Sequence, residues 1–243
     1  MHSLERSSDQ TSLRNNNNKL MNVIESGPEG GDHITYVHGL GAAHEYWQPL
    51  ISSLNLDATH RKITFDLEGH GLSPVATTSI ASISSFAADL AALVAEPGIL
   101  VAHSMACLVA LSFSIAHAEL VTKLILLGAT RNPLAPGIPE LCLEQAAVIR
   151  AKGLQGSGVA ERSANTGTSK KTKETRSAAV GAIRDLLLSQ DLEGFARGYT
   201  ALAGATEVLD LSTLKMPVLL IQARRLFLHV RDCEGLQQEV EAL

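Results

Sequence analysis

The chain has 243 residues, of which 45% are hydrophobic and 19% are charged, and its 20 basic and 25 acidic side chains leave a net charge of −5. This composition excludes disorder along the whole chain, and it lacks the basic footprint that nucleic-acid binding requires. Folds that alternate strands and helices often use this length as one domain. We therefore expect a single large domain that carries an inserted segment.

The three cysteines, Cys107, Cys142 and Cys233, form neither a CxxC pair nor the Cys/His spacing of a zinc site. This usage argues against a disulfide framework and favours a reducing compartment, so we predict a cytoplasmic protein without a metal. Residues 1–19 are polar and lack the apolar region of a secretory signal. We predict a disordered N-terminal tail there.

Short apolar runs alternate with helical patterns through residues 20–130, which predicts the first part of an α/β core with a mainly parallel sheet. The predicted strands are His33–Val37, Lys62–Phe65, Gly98–Ala102, Lys123–Leu127 and Pro217–Ile221. Apolar residues at helical spacing predict helices around Trp47–Leu54 and Phe86–Val94.

The run from Pro97 to Ala118 carries no formal charge and is long enough to cross a bilayer. His103 and Ser104 lie near its middle, where a membrane offers no water to satisfy them. A buried strand that leads into a buried helix is the favoured interpretation, and we predict no membrane span.

Residues 131–213 show no convincing strand, and we predict a helical cap inserted after the strand at 123–127. Residues 214–243 then return to the core. Within the cap, Gly153–Arg176 is polar and rich in glycine, serine and threonine, which predicts a weakly ordered stretch.

The first motif is VAHSMAC, residues 101–107, which follows a predicted strand and precedes a helical pattern. A serine at such a sharp turn has its hydroxyl held clear of the backbone, and small residues two before and two after it let strand and helix approach closely. Ala102 and Ala106 fill those positions in place of the usual glycines. A serine that caps the helix is the alternative reading of Ser104.

Two further glycine-containing turns follow predicted strands. HGLG, residues 38–41, allows a backbone turn that presents amide N–H groups toward the neighbouring strand end, as an oxyanion hole requires. DLEGHGLS, residues 66–73, places Asp66 where it can accept hydrogen bonds from turn amides, and we interpret it as scaffold.

In this order and context the three motifs resemble the α/β-hydrolase family over roughly residues 20–222. The cap segment from Leu188 to Ala205 is similar to the 3-oxoadipate enol-lactonase-like branch. The resemblance implies that Ser104 is the nucleophile and that the amides of Leu40 and Met105 form the oxyanion hole. It also implies a small ester or lactone substrate and no cofactor, with His103 and His70 in structural roles.

The family places an acid after the strand Pro217–Ile221, where this chain has Ala223-Arg-Arg-Leu. Asp232 is a weak candidate for the acid, with a surface or helix-capping role as the alternative. His229 is a weak candidate for the base, with a structural role as the alternative. We expect the final strand and helix of the fold to be missing.

Three functional hypotheses follow from this pattern. The first is an ester or lactone hydrolase, with an enol-lactone of a dicarboxylic acid as one substrate and Arg131 or Arg197 as its cationic anchor. The second is a catalytically impaired protein that binds such a molecule without turnover. The third is a truncated gene product. The sequence does not predict the oligomeric state.

Overall fold

A computed structural model describes residues 10–16, 19–77, 79–222 and 225–231 of the protein. Within these residues, eight strands form one sheet in the order β1-β2-β4-β3-β5-β6-β7-β8. Their bounds are β1 Gln10–Asn16, β2 Lys19–Ser26, β3 Asp32–Val37, β4 His60–Phe65, β5 Gly98–His103, β6 Val121–Leu127, β7 Val218–Gln222 and β8 Arg225–Arg231. The strands from β4 to β7 in this order run parallel, and the outer strands pair antiparallel.

All five predicted strands are present, and the predicted fold, a mainly parallel α/β-hydrolase sheet with a helical cap, is confirmed. Parallel strands are covered on both faces, which is why their sequences are nearly continuous apolar runs. In β3, Tyr36 faces one core cluster and Val37 faces the other.

Helices cover both faces of the sheet. They are α1 Gln48–Leu54, which follows a 3-10 helix at His44–Trp47, α2 Ile83–Leu93 and α3 Ala106–Ala116. Trp47 and Ile51 pack on one face beside Tyr36, whereas α2 and α3 pack together against the other. The uncharged run from Pro97 to Ala118 is thus divided between β5 and α3. Among the described helices, none combines the length and the apolar character that crossing a membrane needs.

The prediction of a disordered tail is wrong for residues 10–16, because β1 pairs antiparallel with β2 along its whole length. An edge strand is joined through backbone hydrogen bonds, which do not require apolar side chains. A polar sequence therefore gave no signal for this strand.

The prediction that the final strand is missing is also wrong, since β8 pairs antiparallel with β7 and covers its outer edge. Only two residues separate β7 from β8, and a connection this short joins antiparallel strands. Leu236, Val240 and Leu243 have helical spacing in the sequence, but they lie outside the described residues.

The cap consists of five α-helices within residues 138–203. They are α4 Ile138–Ser157, α5 Val159–Thr166, α6 Lys170–Thr175, α7 Ser177–Leu188 and α8 Leu192–Ala203. The weakly ordered stretch predicted for residues 153–176 forms helices instead. Its glycines Gly153 and Gly158 have positive φ and mark a kink and a helix junction, and Val159 and Ala160 are buried in the core of the cap.

Candidate active site

Ser104 occupies a strained turn between β5 and α3. Its φ of 55° lies in the left-handed region, which a residue with a Cβ adopts only at a cost. Its amide donates to the carbonyl of Leu127 at 2.9 Å, and its own carbonyl accepts from the amide of Cys107 at 2.9 Å. Ser104 is partly exposed, whereas Ala102 and Ala106 are fully buried. The turn therefore holds this side chain out of the core.

The alternative that Ser104 caps a helix does not agree with the structure. The capping position of α3 is Met105, and this residue makes no side-chain capping hydrogen bond. An N-cap residue also has extended backbone geometry, which differs from the left-handed conformation of Ser104.

The HGLG turn lies directly against this serine. A Cβ added to Gly39 would come within 3.0 Å of Ser104 Cβ and of the carbonyl oxygen of His103. Since β3 and β5 are parallel neighbours with Val37 opposite Ala102, the HGLG turn and the turn at Ser104 both follow the carboxyl ends of these strands. The structure thus places the HGLG turn against Ser104 at the carboxyl ends of two neighbouring parallel strands.

Two buried histidines connect the turns around the site. His38 Nε2 accepts from the amide of Leu67 at 2.9 Å, so its Nδ1 carries the proton and donates to the carbonyl of Gly39 at 2.9 Å. Burial lowers the pKa of His38. Burial also lowers the pKa of His70 to about 3, and the two rings lie 5.4 Å apart. Both imidazoles are therefore neutral parts of the scaffold at neutral pH.

His103 precedes Ser104 and is held by an aromatic contact. Its ring stacks on Tyr46 with centroids 4.9 Å apart, and burial lowers the pKa of His103 to about 4. An imidazole of such low basicity is a poor proton acceptor.

Asp66 has the predicted scaffold role. Its carboxylate accepts from the amide of His44 at 2.7 Å, and from His44 Nδ1, Asn22 Nδ2 and the amide of Leu72, each at 2.9 Å. Burial alone would raise the pKa of Asp66, but the hydrogen bond from His44 and the nearby His38 outweigh it and lower the pKa to about 2.

One group of metal-ligand type occurs among the described residues, formed by His44, Glu45 and Asp66 with ligand atoms within 4.8 Å of one another. Protein donors already satisfy the carboxylate of Asp66. This group is thus accounted for as a hydrogen-bonded cluster that holds the turn.

The cap rests on the site through glycines of α8. Gly194 contacts Gly69 so closely that an added Cβ would lie 1.9 Å from the carbonyl oxygen of Gly69. At Gly198 an added Cβ would lie 2.3 Å from Leu40 Cδ1. Sequence reasoning missed these contacts, and the only signal for them was two glycines spaced one helical turn apart in the pattern GFARG.

The two arginines considered as substrate anchors are engaged or exposed. Arg197 Nη1 donates to the carbonyls of Ala76 at 3.0 Å and Ser79 at 3.2 Å, and its Nε donates to Glu193 at 3.3 Å. Arg131 is exposed. Arg197 therefore joins the cap to the loop that follows the GHG turn.

The strand register separates the backbone of the predicted base, His229, from Ser104. His229 lies in β8 and pairs with Leu220 of β7. In the sheet, β8 is three strands from β5. At about 4.8 Å per strand, this separation between the backbones of β5 and β8 is roughly 14 Å. Ala223 and Asp232 lie outside the described residues.

Comparison with known proteins agrees with this geometry. The model of the alpha/beta hydrolase family matches residues 36–229. The chain belongs to this family. Members of this family carry the strand–serine–helix turn that Ser104 occupies here.

Two relatives in this family show how far the likeness extends. A 3-oxoadipate enol-lactonase of Acinetobacter baylyi is 26% identical over 236 residues, which cover 94% of this chain and 85% of that protein. A putative carbamate hydrolase, RutD, of Variovorax paradoxus is 34% identical over 113 residues, which cover 45% of this chain and 42% of that protein. The chain thus matches less than half of the carbamate hydrolase and most of the enol-lactonase.

Two solved structures of the family share the fold. A thermophilic esterase from Thermogutta terrifontis is 21% identical and superposes with a TM-score of 0.80. The match covers 96% of this chain and 86% of the esterase chain. An enol-lactonase from Burkholderia xenovorans LB400 is 20% identical and superposes with a TM-score of 0.78. The match covers 95% of this chain and 86% of the enol-lactonase chain. At such identities the likeness is one of fold.

Proposed function

We propose that this protein hydrolyses ester or lactone bonds with Ser104 as the nucleophile and the amides of Leu40 and Met105 as the oxyanion hole. The observation that carries the proposal is the left-handed turn at Ser104, which is backed by Gly39 without an intervening side chain. Strain of this kind persists where the surrounding structure holds it for a purpose. Family membership supports the same reaction class.

In the proposed reaction, Ser104 Oγ attacks the substrate carbonyl carbon and loses its proton to a base. The two amides stabilise the negative oxygen of the tetrahedral intermediate. The leaving alkoxide takes up a proton, and water then attacks the acyl group on Ser104 and releases the carboxylic acid. Each proton that leaves a nucleophile is returned to a leaving group, so the serine is regenerated.

The base is the component with the weakest support. For His229 the strand register argues against contact with Ser104, and Asp232 stays a prediction for the acid. Without a base the serine hydroxyl remains protonated and is a weak nucleophile. A serine hydroxyl that gives up its proton without a positioned base still attacks a carbonyl, but slowly, so we expect slow turnover that depends on Ser104.

A second function, binding of a small ester or lactone without turnover, is favoured by one observation. The segment Ala223-Arg-Arg-Leu stands where the family places Gly-x-x-Asp, so Leu226 takes the position of the catalytic acid. A protein that keeps the turn at Ser104 and the cap but lacks the acid would still bind a substrate and would not hydrolyse it. An enol-lactone of a dicarboxylic acid is a candidate ligand under either function, because the relative from Acinetobacter baylyi, which matches most of this chain, is an enol-lactonase.

The decisive experiment compares the chain with its Ser104→Ala and Ser112→Ala variants on a short-chain p-nitrophenyl ester. Ser112 lies in α3 beyond the turn and serves as the matched control. We expect Ser104→Ala to abolish turnover and Ser112→Ala to retain it. Equal rates for Ser104→Ala and the unmodified chain would refute the nucleophile, whereas saturable binding without product from any form would favour the second function.

A further inference from the structure

We infer that His38 is a positioning residue for the proposed oxyanion hole, because its ring holds the peptide unit that carries the amide of Leu40. The inference rests on the proposed function and gives a buried scaffold side chain a part in that reaction. It is carried by the two hydrogen bonds that fix the ring and by the planarity of the peptide unit between Gly39 and Leu40.

Backbone groups engage both ring nitrogens of His38. The amide of Leu67, which can only donate, lies 2.9 Å from Nε2, so this nitrogen carries no proton. The proton of the neutral ring is therefore on Nδ1, which donates to the carbonyl oxygen of Gly39 at 2.9 Å. The side chain is fully buried. With both nitrogens engaged, this ring is not available as the base for Ser104.

The carbonyl of Gly39 belongs to the same peptide unit as the amide of Leu40. A peptide unit is planar and trans, so its carbonyl and its N–H point in opposite directions. The amide of Ala42 also donates to the carbonyl oxygen of Gly39, at 3.2 Å. Two donors thus fix the carbonyl on one side of the peptide unit, and the N–H of Leu40 takes a fixed direction on the other side. Hydrogen bonds to the carbonyl also polarise the unit and strengthen its N–H as a donor.

This peptide unit lies against the proposed nucleophile and needs an external anchor. A Cβ added to Gly39 would lie 3.0 Å from Ser104 Cβ, so the close approach requires glycine. Glycine leaves the backbone free to adopt many conformations, and the bond from His38 restricts them. An oxyanion hole depends on donors that are in place before the charge develops, and removal of one lowers kcat by about 10²–10³-fold. His38 therefore affects the rate through Leu40 without contacting the substrate.

Two substitutions separate the two hydrogen bonds of the ring. The side-chain nitrogen of asparagine is as many bonds from the backbone as Nδ1, so His38→Asn keeps a donor for Gly39 and loses the acceptor for Leu67. The side-chain oxygen of glutamine corresponds to Nε2, so His38→Gln keeps the acceptor and loses the donor. Each variant loses one buried hydrogen bond, so a general loss of stability affects both alike.

Turnover of a short-chain p-nitrophenyl ester compares these variants. We expect His38→Gln to lower the Ser104-dependent kcat by at least about tenfold, with KM within about twofold, because the lost interaction acts in the transition state. His38→Asn should retain kcat within about threefold. Equal kcat values for the two variants would overturn the inference.

His70→Gln is the matched control. His70 is a second fully buried ring, and its Nδ1 lies 3.1 Å from a backbone carbonyl, that of Glu68. This carbonyl is not part of the HGLG turn, so we expect kcat of His70→Gln to stay within about threefold of the unmodified chain. A loss as large as that in His38→Gln would show a general effect of removing a buried imidazole and would refute the positioning role.

NMR tests the same role without turnover. The N–H order parameter of Leu40 should stay near about 0.85 in the unmodified chain and in His38→Asn, and fall toward about 0.6 in His38→Gln. Equal rigidity in all three chains refutes the inference. In the unmodified chain, ¹⁵N shifts of the ring should show the proton of His38 on Nδ1, and a proton on Nε2 would overturn the inference even if a variant does not fold. Failure of the proposed function gives a different result, since the unmodified chain would then hydrolyse the ester no faster than Ser104→Ala, while these NMR measurements would still decide whether His38 holds the amide.

Discussion

Replacing Ser104 by glycine and by alanine tests the strained turn directly. A residue with a Cβ pays about 1–2 kcal/mol for the left-handed conformation, and glycine loses about 0.5–1 kcal/mol through its greater freedom in the unfolded chain. At a φ of 55° the difference favours glycine. We expect Ser104→Gly to be more stable than Ser104→Ala by about 0.5–1 kcal/mol, although both variants lose the hydroxyl.

The free energy of unfolding in urea, followed by circular dichroism, measures this difference. For a chain of this size, about 1 kcal/mol corresponds to roughly 2–4 °C in Tm, which thermal melts resolve. Ser112 in α3 provides the matched control with the opposite order, because alanine exceeds glycine by about 1 kcal/mol inside a helix. If Ser104→Ala were as stable as Ser104→Gly or more so, residue 104 would not occupy a left-handed turn, and the nucleophile assignment would lose its main support.

Three further changes test the scaffold around the site. Gly194→Ala places a Cβ 1.9 Å from the carbonyl oxygen of Gly69. Because this overpacking displaces α8, we expect the free energy of unfolding in urea to fall by about 1–3 kcal/mol. An unchanged free energy of unfolding would contradict the contact. The pKa of Asp66 is lowered from 3.8 to about 2, so the stabilisation that its carboxylate gives the folded state is present above pH 4 and is lost as the pH falls toward 2. Asp66→Asn should flatten the dependence of the free energy of unfolding on pH in that window. Parallel curves for the two chains would contradict the shift. Lys19→Met removes the ammonium group that pairs with two buried carboxylates, Glu68 and Asp89. We expect a cost of about 3–5 kcal/mol in urea unfolding, whereas a neutral effect would show that these ion pairs do not form.

The central strands and the three motifs could be predicted because each carries a local signal. The parallel strands are continuous apolar runs, since both of their faces are buried. The turns after β3, β4 and β5 carry glycine or small residues, because backbone segments meet there. Ser104 was recognisable for the same reason: its neighbours Ala102 and Ala106 mark a strand and a helix in close approach.

The edges of the sheet could not be predicted in this way. β1 is polar and pairs through its backbone, so neither composition nor periodicity marks it. β8 was not predicted, because the segment after β7 departs from the family pattern at the position of the acid; the strand is defined by its pairing with β7. The helices at residues 153–176 were hidden by glycines, which act there at helix ends and kinks rather than in a loop.

By itself the sequence determined the order of the central strands and of the helices beside them, the family and the position of the candidate nucleophile, because these depend on local periodicity and on residue types at sharp turns. Only the tertiary structure decided that Arg197 faces the loop at residues 76–79, that α8 lies on the GHG turn, and that β8 runs antiparallel beside β7. These features depend on contacts between residues far apart in the chain. Such contacts leave no periodic trace in the sequence, since they are set by how whole elements pack and by which buried polar groups must find a partner.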